Sequence, residues 1–142
     1  MGANKSPSAP TELAAAMLIV AGLVYVIVGA LTWAYESTFL AAAKGTVAPS
    51  VLSWVSNLNG LDLELLAIGS IVIGILHFPS AWGVFKLKMA GLWGGVALGV
   101  LGAVLGGVAI YEADLSYLGY VTFAFGALIV ILLLIVDHDK FE

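Results

Sequence analysis

His77 stands inside a stretch of this chain that carries no charge, Leu65 to Phe85, between Glu64 and Lys86. An ionisable side chain in an apolar run of that length is a candidate for function by default, because hydrocarbon holds it only at a cost. An imidazole there has three roles open to it: a proton relay, a metal or haem ligand, or a polar lock between helices. Haem ligation calls for another axial ligand, and the remaining histidine, His138, falls in the polar C-terminal tail. The lock is therefore the expected role. A neutral imidazole is satisfied by a hydroxyl, a carbonyl or a water, and Ser70 and Ser80 fall on nearly the same helical face. Pro79 has no N–H for the carbonyl of Ile75, which predicts a kink and a freed acceptor one turn from the ring. Tyr25 is the second buried polar candidate. It lies midway along another uncharged run, Leu13 to Tyr35, so its hydroxyl is expected to bond to a neighbouring helix.

Carboxylates form the other group with chemistry to offer. Glu36, Asp62, Glu64, Glu112 and Asp114 all fall at the ends of apolar runs and, in an alternating topology, at one membrane level. Such a cluster suits a hard cation such as calcium or magnesium. The plainer expectation is that these acids mark membrane exits. Asp62, Glu64 and Asp114 also begin helices, where an anion favours the positive end of the dipole. No metal or cofactor is expected.

Other chemistries are excluded by composition. The chain has 142 residues, no cysteine and a net charge of −4, and all five of its basic residues are lysines. Without cysteine there is no disulfide, thiolate nucleophile or iron–sulfur ligand. Without a basic surface there is no footprint for nucleic acid. No GxGxxG, Walker A, HExxH, EF-hand or GxSxG pattern occurs, so no catalytic residues are assigned and the chain by itself is not expected to be an enzyme.

The elements that position these residues follow from the apolar content. Hydrophobic residues make up 62% of the chain and charged residues 10%, with a mean hydropathy of +1.11. A soluble domain has about 25% charged residues. Crossing a bilayer takes about 20 apolar helical residues. Runs of that size, each bracketed by charge, predict transmembrane helices at about 13–35, 65–85, 89–111 and 115–136 within a single membrane domain, 1–142. The first run is too long for a signal-peptide core, so it is expected to remain as a span. Between the first two spans, Val51, Trp54, Val55 and Leu58 recur at helical spacing, which predicts an interfacial amphipathic helix at about 50–58. Lys5, Lys86, Lys88 and Lys140 share one side if the spans alternate, and only Lys44 falls on the other. Short lysine-bearing segments stay in the cytoplasm, so both termini are expected there and the protein in the cell membrane.

Each span carries a stripe of small or polar residues at alternating spacings of three and four. The first reads Gly22, Tyr25, Gly29, Thr32, Glu36; the second Ala67, Ser70, Gly74, His77, Ala81; the fourth Gly119, Thr122, Gly126. The third is dense in glycine, with Gly91, Gly95, Gly99, Gly102 and Gly106 nearly in line. Lipid gives helices no hydrophobic reason to associate, so close contact through small residues supplies much of the attraction. A mean repeat near 3.5 predicts left-handed crossing, hence an all-α integral membrane four-helix bundle. The third helix has enough glycine to be approached from more than one side, by its own bundle or by a partner.

The segment Ala81-Trp82-Gly83-Val84-Phe85-Lys86-Leu87-Lys88, leading into Gly91-Leu92-Trp93 and a glycine-rich run, resembles small tetraspan membrane proteins of archaea and bacteria. That resemblance implies the four-span fold and no activity. The expected function is that of a non-catalytic accessory or structural subunit, packed against other integral membrane subunits of a larger complex. A respiratory or a copper-dependent monooxygenase complex is a host of that kind. The alternative is a homo-oligomeric transporter or channel for protons or cations, built around His77 with the acids at its mouth.

Overall fold

The computed structural model describes residues 6–34, 60–113, 116–136 and 138–142, with backbone alone at 60–63, 109, 112–113 and 116–118. The described residues form four α-helices: α1, Ala9–Ala34; α2, Gly60–Phe85; α3, Met89–Ala113; and α4, Ser116–Leu134. A short 3₁₀ turn, His138–Lys140, follows. Three helices are long and apolar enough to cross a membrane, and the apolar part of the fourth, Gly119–Leu134, is shorter. The expected interfacial helix at 50–58 lies outside the described residues.

The first helix begins at Ala9, ahead of the apolar run that starts after Glu12. Ser8 precedes it, its carbonyl accepts the Glu12 N–H at 2.9 Å, and its hydroxyl bonds to Thr11 Oγ1 at 2.9 Å. Pro10 then costs nothing, because first-turn N–H groups have no helical partner to lose. In α2 the helix runs unbroken through Pro79 to Phe85.

Between α2 and α3 the chain reverses in three residues. The Leu87 N–H donates to the Val84 carbonyl at 3.0 Å and the Lys88 N–H to the Gly83 carbonyl at 2.8 Å. These are the paired bonds of a Schellman cap, whose C′ residue adopts the left-handed conformation. Glycine normally occupies that position, but here it is Leu87, at φ 56°. Two contacts hold it there. Its side chain is 6% exposed within the core, and its carbonyl accepts the Glu142 N–H at 2.9 Å. The Met89 N–H in turn donates to the Glu142 carbonyl at 2.8 Å, so the tail is clasped to the turn.

The helices pair as two hairpins, α1 with α2 and α3 with α4. Within each hairpin the backbones meet at glycine. A Cβ on Gly22 would lie 2.9 Å from the Gly74 carbonyl oxygen, and one on Gly29 would lie 2.7 Å from that of Ala67. Across the second hairpin, a Cβ on Gly99 would lie 3.0 Å from the Gly126 carbonyl oxygen, and one on Gly106 would collide with the Phe123 backbone.

Away from the turn, where Gly91 lies on the Gly83 backbone, the hairpins meet each other through side chains. The buried apolar cluster joins Ala14, Leu18 and Ala21 of α1 to Val84 of α2, Leu92 of α3 and Leu133 of α4, with Leu87 and Phe141 closing it. All of these sit at the turn end of the bundle. The outer surface is apolar as well: Leu23, Ile27 and Leu31 on α1 and Leu66, Val72 and Ile75 on α2 are about half exposed. That is the surface a helix presents to hydrocarbon rather than to water.

Candidate functional site

Beyond the side-chain cluster the two hairpins enclose a cleft of about 410 Å³. Each helix contributes at least one polar side chain or a backbone approach to it. Tyr25 comes from α1, Ser70 and His77 from α2, Gly102 from α3 and Thr122 from α4. Ser70 and His77 are seven residues apart, two turns, which puts them on one face of α2.

His77 is 2% exposed. Its Nδ1 lies 2.7 Å from the Ile73 carbonyl oxygen one turn back. A carbonyl only accepts, so Nδ1 carries the proton, and in the neutral ring Nε2 carries the lone pair. Of the partners the sequence allowed for this imidazole, the structure uses a backbone carbonyl. The Ser80 hydroxyl donates instead to the Leu76 carbonyl at 3.0 Å. Room for the ring comes from α1: His77 Cβ lies 2.8 Å from where a Cβ of Gly22 would stand. Against the ring packs Tyr25, with centroids 5.4 Å apart and planes inclined at 31°. The Tyr25 hydroxyl crosses to the other hairpin, 3.7 Å from the Cβ position of Gly102.

The exposed lining residues define the mouth. Val20, Val24 and Val28 are about half exposed along one edge of α1, and Val121 is 63% exposed on α4. Deeper lie Leu98, Phe125, Gly126 and Ile129. The cleft therefore opens sideways between α1 and α4, through a row of valines, and its back wall is α2 and α3.

The glycines proposed as packing positions divide by neighbour. Gly22, Gly29 and Gly74 lie in the α1–α2 seam. Gly91 lies against Gly83 of α2, while Gly95 faces Leu133 of α4 and Leu18 of α1. Gly99, Gly102, Gly106, Gly119 and Gly126 belong to the α3–α4 seam. Gly107 is different, since the nearest atom to its Cβ position is Phe123 Cδ2 at 3.9 Å. It lies instead in a shallow apolar groove of about 450 Å³ on the outer face of that hairpin, with Ala103, Val104, Phe123 and Ala127.

Of the five acids, only Glu64 has a described side chain. Glu64 is exposed, while Glu36 and Asp114, and the side chains of Asp62 and Glu112, lie outside the described residues. Among the described residues no three histidines, cysteines or acids gather as a metal site. No family model, curated protein or solved structure matches this chain.

The cleft and the groove were both hidden in the stripes. The cleft's signal was present, however: Tyr25 and His77 occupy stripe positions held elsewhere by glycine, and rings of that size hold the two hairpins apart.

Proposed function

We propose that this chain is a non-catalytic integral membrane subunit that packs against other membrane-spanning subunits of a larger complex. The groove on the outer face of α3 and α4 carries this reading. Val100 and Val104, and Ala103 and Gly107, are each four residues apart on α3, opposite Phe123 and Ala127 on α4. Ala103, whose backbone borders the chain's own seam at Gly126, and Gly107 form a small-xxx-small pair lining the groove, the form that lets a further helix approach closely. Much of the remaining glycine is already engaged inside the bundle, so a partner helix is best served here.

The reading extends to topology. Lys86, Lys88 and Lys140 gather near the clasped turn, and short lysine-bearing segments favour the cytoplasm. We therefore assign both termini to that side of the cell membrane, with Lys44 and the five acids opposite. The fourth helix is assigned as a span despite its shorter apolar part, and the stripes are assigned left-handed crossing.

The test is native mass spectrometry of gently extracted protein, wild type against Gly107→Leu. Leucine there fills the groove while meeting little of its own chain. Co-extraction with unrelated subunits that the variant loses is the expected result. Homo-oligomers alone, or a partner retained undiminished by the variant, would overturn the reading. His77 beside a cleft favours a proton path as the second reading. Proton flux in liposomes that His77→Gln abolishes, with the protein still folded, would replace the first reading with this one.

A further inference from the structure

We propose that the cleft between the hairpins binds a hydrocarbon-soluble molecule bearing a hydroxyl, a lipid alcohol or a quinol, whose O–H donates to Nε2 of His77. The proposal is independent of the accessory role and stands or falls by itself.

Access argues for the source of the ligand. The mouth is a row of half-exposed valines, Val20, Val24 and Val28, facing Val121 across the gap between α1 and α4. Eight residues of helix rise about 12 Å, enough for a hydrocarbon chain or a single ring to pass. In a membrane-embedded bundle an opening on that side faces lipid, so whatever enters is already dissolved in the bilayer. An aqueous ion would have to shed its hydration against valine.

Polarity argues for the hydroxyl. Nearly all the lining is apolar, as ligand pockets usually are, with a few polar groups to fix orientation. Of these, His77 has its donor engaged with Ile73 at 2.7 Å. It therefore offers the cleft an acceptor, and in hydrocarbon an acceptor selects ligands that bring their own donor. An alkane brings none, and a ketone can only accept from the Tyr25 or Ser70 hydroxyl, leaving Nε2 of His77 unpaired. The tilted Tyr25–His77 pair and Phe125 supply flat apolar walls beside that acceptor.

The test uses purified protein in nanodiscs with 15N-labelled histidine, where only His77 and His138 contribute signals. Farnesol and decylubiquinol are the two probes, each paired with a form that cannot donate: farnesyl methyl ether and decylubiquinone. The alcohol or the quinol should move the His77 Nε2 resonance and bind about tenfold more tightly than its partner, the scale of one hydrogen bond. Which donor binds more tightly distinguishes a chain alcohol from a quinol as the source. Val24→Trp, at the exposed rim and outside the bundle core, should close the mouth and abolish both shift and binding. His77→Phe should bind alcohol and ether equally. An unmoved Nε2 resonance at saturating farnesol and decylubiquinol would overturn the proposal, as would equal affinity for donor and non-donor in the wild type, or binding indifferent to Val24→Trp.

Discussion

The seams within each hairpin and, apart from the Gly83–Gly91 contact beside the turn, the contact between hairpins are built on opposite principles. In the seams, backbone lies on backbone: Gly22 against Gly74, Gly99 against Gly126, Gly106 against Phe123. Between the hairpins, side chains such as Leu18, Leu92, Val84 and Leu133 fill a wider space at the turn end, and farther along that space is left as a cleft. The difference lies in what can yield. Side chains shift between rotamers at a modest cost, whereas two helices in van der Waals contact through their backbones can only move apart as whole bodies. Rigid leaves joined by an adjustable side-chain core are what allow a cleft to persist between them.

The sharpest way to break this contrast is to put a side chain into a seam. Gly106→Leu drives even its Cβ onto the Phe123 backbone. We expect a loss of more than about 3 kcal/mol, at the severe end of single substitutions. Denaturation in mixed micelles would measure it, and a loss under about 1 kcal/mol would mean that the seams are as compliant as the core. A smaller effect is expected at the turn. Leu87→Gly and Leu87→Ala remove the same buried contacts, but only glycine accepts φ 56° without penalty. Glycine should therefore be the more stable variant by about 1 kcal/mol, the reverse of their order in a helix. Equal stabilities would show that the left-handed turn carries no strain. Gly69 should respond least, because a Cβ there meets nothing within 4 Å. Gly69→Ala should be neutral or add up to about 1 kcal/mol through helix propensity. A clear loss of stability in the same micelle assay would contradict the open space around it.

How much of this was legible in the sequence depends on which force does the work. Helix existence follows from apolar length, and Leu65 to Phe85 or Met89 to Tyr111 needed only a count between charges. The start of α1 escaped that count because Ser8 and Pro10, rather than hydrophobicity, set it. The glycine stripes marked close approach without naming the neighbour, since glycine looks alike from every side. As the helices cross, Gly91 meets α2 and Gly99 meets α4. Burial of Phe141 and the bonds from Glu142 to the turn join distant parts of the chain, and nothing local announces them. The cleft is a space left by Tyr25 and His77, and spaces are a property of arrangement, not of residue type.

The Leu87 turn has a consequence for biosynthesis. Three residues, Lys86 to Lys88, leave no slack for α2 and α3 to be handled separately by an insertion machine. The ends they join must emerge on one face together. As membrane spans, these two helices would enter the bilayer as a pair of opposite sense, and any change that inverted one would invert the other. On the topology proposed above, orientation is then a single decision for the pair, cast by Lys86 and Lys88, well before α4 arrives to let the chain clasp the turn.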